Sequence, residues 1–539
     1  VSRGVVSRTD ARGLVLALAL FAVIAGTIAR IDGLSSKLFW QDEAFSMLRI
    51  TGHVESDLYG LFDDTVRTPE SMLAIERLAP GRGVGATLSS LSEEPQRGPL
   101  YYMLARVWAG IFGDGIVRMR AFSALLGIGG IGFAFLLGRR IAGGDVGGAM
   151  LAALVALAPI DVRFSGQVRE YVAIADTTLA SAWLLLRAFE RGSALRWISY
   201  AASLLVGLFV SPLFLTMVGA HFVAACVVAR RSRTEFVAWC LAAGVPCLIF
   251  SPWLVQSLAA APAHARDVSW LLGTYPLSAL VTKWIFNIGA TFFDAEIAHR
   301  PLAIVLVPIL ALVAIAIANA FRRGEAVRRA LALAMTFAAA ALVIGVDIVR
   351  HAHFEGVTRY QMTTWVGIEA LVAMLLAAWV GSERRAVRWV GVASFAFLVA
   401  CGTFCSVFDR SYALWWDDNE HIDEQRVAET IAASGAPALV LASDDLNTGE
   451  YALVLARYLP RDTKLLLYHG PVPALPAFAG NTYAFVPQAD ALAELERRLP
   501  GSVRNVSPAI GLAIPDLRAS AEGNAADAAR PENALWRLR

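Results

Sequence analysis

The sequence predicts a mainly α, polytopic membrane helix bundle of about eleven transmembrane helices, with a large first extracytoplasmic loop and a small C-terminal α/β domain. Hydrophobic residues make up 57% of the chain, only 17% are charged, and mean hydropathy is +0.56. A soluble protein of this length is less apolar. Apolar runs of roughly twenty residues recur, the length that crosses a hydrocarbon core. Arginine clusters mark alternate ends of those runs, the pattern that sets topology.

Arg3, Arg8 and Arg12 precede the first run, 13–31. Its Ala-Gly-Thr-Ile-Ala end has the small residues of a cleavage site, but the run is long enough to cross and reads as an uncleaved span. Further runs lie at about 121–138, 146–160, 171–188, 195–211, 213–229, 236–254, 302–320, 327–348, 360–380 and 388–407. With the N-terminus cytoplasmic, Arg139/Arg140, Arg187/Arg191/Arg196, Arg230/Arg231/Arg233, Arg322/Arg323/Arg328/Arg329 and Arg384/Arg385/Arg388 all fall inside. The expectation is a multi-pass plasma (inner) membrane protein. Residues 1–408 form its membrane domain, with extracytoplasmic loops at about 33–120 and 255–300. The C-terminal region is expected outside.

Composition changes near Asp409, and 409–517 reads as an extracytoplasmic α/β domain. A helix over 422–434 ends at Gly435, a favourable residue just past a helix end. Strands at 438–442 and 463–468 flank a helix at 447–459; a strand at 483–486 and a helix at 489–499 follow. Residues 518–539 read as a flexible tail, rich in Ala, Asp, Glu, Asn and Arg.

Several function classes lose support. Net charge is only +2 and the basic residues flank apolar runs, which argues against nucleic acid as a partner. Cys226, Cys240, Cys247, Cys401 and Cys405 all lie in apolar runs, so neither a disulfide framework nor a zinc cluster is expected. The chain has no P-loop, G-x-S-x-G or H-E-x-x-H. Gly127-Ile-Gly129-Gly130-Ile-Gly132 matches G-x-G-x-x-G, but it lies inside an apolar run with no strand before it. Close helix packing is the better reading.

The stretch Phe39-Trp40-Gln41-Asp42-Glu43-Ala44-Phe45 follows the first span. Aromatic residues belong at the membrane boundary. An acid pair there is a candidate general base beside a lipid-borne substrate, weighed against plain helix-dipole stabilisation. Arg169-Glu170-Tyr171 opens one span, and Arg359-Tyr360 opens another on the same outer face. Either is an ordinary interfacial anchor; together, against the positive-inside bias, they are candidate phosphate clamps. His351-Ala-His353-Phe-Glu355 has ligand-like spacing, since i and i+2 point the same way in an extended segment. A phosphate-contacting or plain loop role outweighs a metal site there. Trp415-Trp416-Asp417-Asp418 with His421 reads as the interfacial exit of the last span.

Trp40-Gln41-Asp42-Glu43-Ala44 resembles the W-x-D-E-A signature of the GT-C membrane glycosyltransferases. The nearest group is the protein O-mannosyltransferase and lipid A aminoarabinose transferase superfamily, in its bacterial mannosyltransferase-like branch. Gly98-Pro99-Leu100-Tyr101-Tyr102 resembles P-P-L-Y-Y, with Gly98 in place of the first proline and Gln96-Arg97 where a histidine often stands. Phe164 to Tyr171 resembles S-Q-E-A-R-x-Y, with Gln167 where relatives often have glutamate, and Arg359-Tyr360 resembles the late R-Y.

The resemblance implies inverting transfer of a sugar from a polyprenyl-phosphate donor on the outer face, with Asp42 as base. The acceptor is an envelope hydroxyl on glycan, lipid or protein. Asp161 and Glu43 are candidates for a second carboxylate. The leaving phosphate falls to Arg169 and Arg359, with Lys283 or Arg97. Trp40, Tyr101, Tyr102, Gln167, Tyr171, His351, His353 and Tyr360 are candidate substrate contacts. A monophosphate leaving group demands no divalent metal, and no cofactor is required. Two rival classes stand beside this one. A flippase or transporter of lipid-linked sugars predicts ionisable residues at mid-span and internal repeats. A non-catalytic envelope-assembly scaffold predicts no special sensitivity at Asp42.

Overall fold

The computed structural model describes residues 8–190, 192–262, 272–273, 276–294, 304–354, 357–410, 424–443, 448–508 and 534–538. They form two compact units.

The first unit is the helix bundle. Among the described residues, eight helices are long and apolar enough to cross a membrane: Asp10–Asp32, Ile116–Ile141, Tyr171–Glu190, Pro212–Ala229, Arg233–Ala260, Ala326–Arg350, Thr358–Val380 and Arg385–Asp409. The pair Gly144–Leu157 and Pro159–Ser165, bent by 62°, makes a further candidate span. Ala194–Val210 and Leu306–Arg322 are shorter apolar helices. Each apolar run read from the sequence coincides with one of these elements.

The bend follows from Pro159. Proline has no N–H, so the Val155 carbonyl loses its donor four residues on. Inside a bundle an unpaired carbonyl is costly. Arg30, buried on the first helix, supplies the missing donors. It donates to the carbonyls of Val155 (2.9 Å) and Ala156 (2.5 Å), and its Nε donates to Ser165 Oγ (3.1 Å). Such close approach requires small residues. A Cβ at Gly26 would lie 2.0 Å from the Ala156 carbonyl oxygen, and one at Gly127 would lie 2.2 Å from Ser165 Oγ. Within the G-x-G-x-x-G stretch, Gly127 and Gly130 serve packing, whereas a Cβ at Gly129 or Gly132 would meet nothing within 4 Å.

The second unit joins Lys37–Glu93 and Tyr102–Gly115 to Leu414–Arg539. Its centre is a six-stranded sheet in the order β1-β3-β2-β4-β6-β5. The strands are β1 (Val66–Arg67), β2 (Ala438–Ser443), β3 (Lys464–Tyr468), β4 (Asn481–Phe485), β5 (Arg504–Asn505) and β6 (Leu535–Arg537). β3, β2 and β4 run parallel. They are near-continuous apolar runs because both faces are covered. Leu439, Leu441, Leu466, Ala484, Leu495 and Leu538 form the core. Gly435 ends the preceding helix with φ 64°, as expected of that position.

The tail expected over 518–539 needs correcting at its end. Leu535–Arg537 forms β6 between β4 and β5, held by burial of Leu535 and Leu538. Residues 518–533 lie outside the described residues. Nor does the composition shift near 409 reveal that the first loop supplies β1, which pairs antiparallel with β3.

That pairing constrains the span count. Residues 66–67 and 464–468 share a sheet, so they lie on one side of the membrane. The chain therefore crosses an even number of times between them, and an odd number in total once the first span is included. With the first helix counted as a crossing, totals of nine or eleven satisfy this parity and eight does not.

Two predictions follow from this architecture. Single cysteines at Asp63 and Asp490, both exposed, in a cysteine-free background should react with a membrane-impermeant maleimide from the same side. Labelling from opposite sides would break the parity argument. Arg30→Met should destabilise the bundle by roughly 3–5 kcal/mol, because it strands two carbonyls and the carboxylates facing the guanidinium. A wild-type thermal midpoint in detergent would show that the bend does not depend on Arg30.

Candidate functional site

In the second unit, helix Gln41–Thr51 presents the acid pair on its first turn. Neighbouring helix positions point about 100° apart, from 3.6 residues per turn, and the two carboxylates diverge accordingly. Glu43 is fully buried, while Asp42 is only half-buried. Glu43 also lies near Glu76, whose carboxyl is pushed up to about 7 by burial, against the pull of Arg457. Trp40 is buried at the position preceding the helix and its carbonyl accepts from the N–H groups of Glu43 (3.0 Å) and Ala44 (3.1 Å). Tyr102 is fully buried in this unit.

The remaining candidates lie in the first unit. Arg169 is buried; its Nη2 donates to the Tyr171 hydroxyl (2.6 Å), its guanidinium lies 5.0 Å from the Tyr171 ring centre, and Glu170 pairs with its Nε at 3.5 Å. Arg359 repeats the motif, 5.6 Å from the Tyr360 ring centre, but is half-buried. Arg97 is ion-paired to Glu94 at 3.0 Å, which makes it a weaker phosphate candidate. Lys283 is half-buried on helix Leu277–Ala290, whose Trp284 meets Trp365 at 6.3 Å between ring centres. Tyr101 is buried against Ser123 (2.7 Å between oxygens), a packing role. Gly98 is explained by space: a Cβ there would lie 2.2 Å from the Val210 carbonyl oxygen, so the proline of the resembled motif has no room.

His351 is exposed, with left-handed backbone (φ 50°), and its carbonyl accepts from the Gly273 N–H (2.8 Å). His353 is half-buried. Among the described residues no three His, Cys, Asp or Glu side chains are placed to hold a metal. Glu355 and Trp415 to His421 lie outside the described residues.

Asp161 is buried against Glu369, with Arg30 nearby. Glu369 is absent from the sequence reading, although a glutamate inside the span Thr358–Val380 is itself a signal. Gln167, Gln361, Thr363 and Thr364 are also buried, and their side-chain amide or hydroxyl groups have no hydrogen-bond partner among the described residues. They stand at the starts of the two helices that carry the Arg–Tyr elements. Buried polar groups of this kind are normally taken up by water or ligand.

Residues 95–255 match the family model described as dolichyl-phosphate-mannose-protein mannosyltransferase. The comparison with curated proteins gives no match. Among solved structures, the chain is similar to ArnT from Cupriavidus metallidurans bound to undecaprenyl phosphate. Identity is 12% over 96% of this chain and 98% of that one, with a TM-score of 0.52. The apo form of the same protein gives 13% identity over 89% and 94%, with a TM-score of 0.51. The fold of this chain is therefore the fold of those two structures.

Proposed function

We propose that this protein is a membrane glycosyltransferase that moves a sugar from a polyprenyl-phosphate donor to an envelope hydroxyl on the outer face, with inversion. The observation that carries the reading is the division of the acid pair: Asp42 is only half-buried, while Glu43 is turned inward. Asp42 is thus the base. It accepts the acceptor hydroxyl's proton as that oxygen bonds to the anomeric carbon. The bond from that carbon to the phosphate oxygen breaks, and the electron pair leaves with the lipid phosphate. Arg359 and Arg169 stabilise that phosphate. The likeness to a structure bound to undecaprenyl phosphate supports a lipid-phosphate donor. The unpartnered Gln167, Gln361, Thr363 and Thr364 favour a substrate with many hydroxyls.

Two predictions test this. Envelope glycans are profiled by mass spectrometry in cells with the gene deleted and complemented, at matched expression. Asp42→Asn should lower the product about 10²–10⁴-fold, whereas Glu43→Gln should act through stability. Equal product from Asp42→Asn and wild type would remove the base assignment, and an unchanged profile on deletion would remove the enzymatic reading. Arg359→Ala should weaken donor use by roughly 1.5–3 kcal/mol without unfolding, since each charge-assisted contact has that magnitude. Arg169→Ala should also lose stability, because it leaves buried Glu170 without its cation. Normal donor dependence in Arg359→Ala would dismiss the clamp.

A further inference from the structure

We infer that the C-terminal domain positions the base through Arg457 and Tyr458, which hold the residues leading into the Asp42 turn. This rests on the assignment of Asp42 above. Helix Gln41–Thr51 has an acidic first turn but no capping side chain. Trp40 stands at its N-cap and makes no side-chain capping bond, where Ser, Thr, Asp or Asn is usual. Contacts to the residue before Trp40 can therefore help to set its start.

The contacts come from just beyond helix Thr448–Ala456. The Phe39 N–H donates to the Tyr458 hydroxyl at 2.9 Å. The Arg457 guanidinium lies 3.9 Å from the centre of the Phe39 ring and also pairs with the buried carboxylate of Glu76. Phe39 is therefore held at both its backbone and its ring. It directly precedes Trp40, whose carbonyl accepts from the N–H groups of Glu43 and Ala44 in the first turn. Fixing Phe39 fixes the direction in which the first turn, and Asp42 with it, leaves the chain. The helix also packs on Thr448–Ala456. Tyr451, one turn into that second helix, has Glu424, Glu450 and Asp42 as its charged neighbours. Arg457 and Tyr458 touch no reacting atom in this account; they are positioning residues.

The test is hydrogen–deuterium exchange on the full chain in nanodiscs, together with the glycan profile of complemented cells. Tyr458→Phe removes one acceptor and keeps the ring. Arg457→Lys keeps a cation for Glu76 but loses the planar group over Phe39. Both should speed exchange of amides 39–44 about two- to tenfold, leave the amides of β2, β3 and β4 unchanged, and lower the product. Unchanged exchange at 39–44 overturns the inference. So does faster exchange there with undiminished product, and so does loosening spread equally over the sheet. If both variants behave as wild type while Asp42→Asn abolishes product, positioning fails and the base assignment stands. If Asp42→Asn is also normal, both fall.

Discussion

Backbone groups inside a membrane bundle must find partners within the protein, and Pro159 breaks that requirement at one place. The consequences run through the first unit. Arg30 reaches across to the carbonyls of Val155 and Ala156. Gly26 and Gly127 permit the approach. The guanidinium brings a charge into the bundle, and Asp161 and Glu369 lie close enough to answer it. The short helix Pro159–Ser165 then runs into the turn that carries Gln167, Arg169 and Tyr171. A lone missing N–H thus accounts for the glycines, the buried arginine and the angle at which one Arg–Tyr element is presented.

The second unit solves a different problem. Its sheet takes a two-residue edge strand from the first loop, and its helix Gln41–Thr51 begins without a cap of its own. Neither feature is stable alone: a strand of two residues has little to hold it, and an eleven-residue helix is marginal in water. Both depend on chain far away in sequence. The acid pair therefore sits on a scaffold assembled from two remote segments.

Much of this was readable in advance, for identifiable reasons. Spans follow from apolar length, which is a local property, and so do the parallel strands of the C-terminal domain. Asp42 stood out because two carboxylates follow a span among aromatic residues. Glu369 passed unnoticed because one charged residue barely changes the hydropathy of a long run. β1 and β6 are too short for any periodicity. The contacts of Tyr101 with Ser123 and of Arg97 with Glu94 could not be foreseen, because the motif is the same whether Tyr101 meets a sugar or Ser123.

The buried Arg30, Asp161 and Glu369 bear on the transporter reading, which calls for ionisable groups within spans. A transported substrate needs such groups free to change partners. Arg30 instead spends Nε, Nη1 and Nη2 on Ser165 and on backbone carbonyls. Its surroundings are closed: a single added carbon at Gly26 would overlap the Ala156 carbonyl, and one at Gly130 would lie 1.8 Å from an Asp176 carboxylate oxygen. An arginine held this tightly braces a bent helix. Gln167, Gln361, Thr363 and Thr364, among the buried side chains with polar atoms that have no partner among the described residues, stand beside the two Arg–Tyr elements. An anionic, hydroxylated substrate would satisfy those side chains, in keeping with the transfer chemistry proposed above.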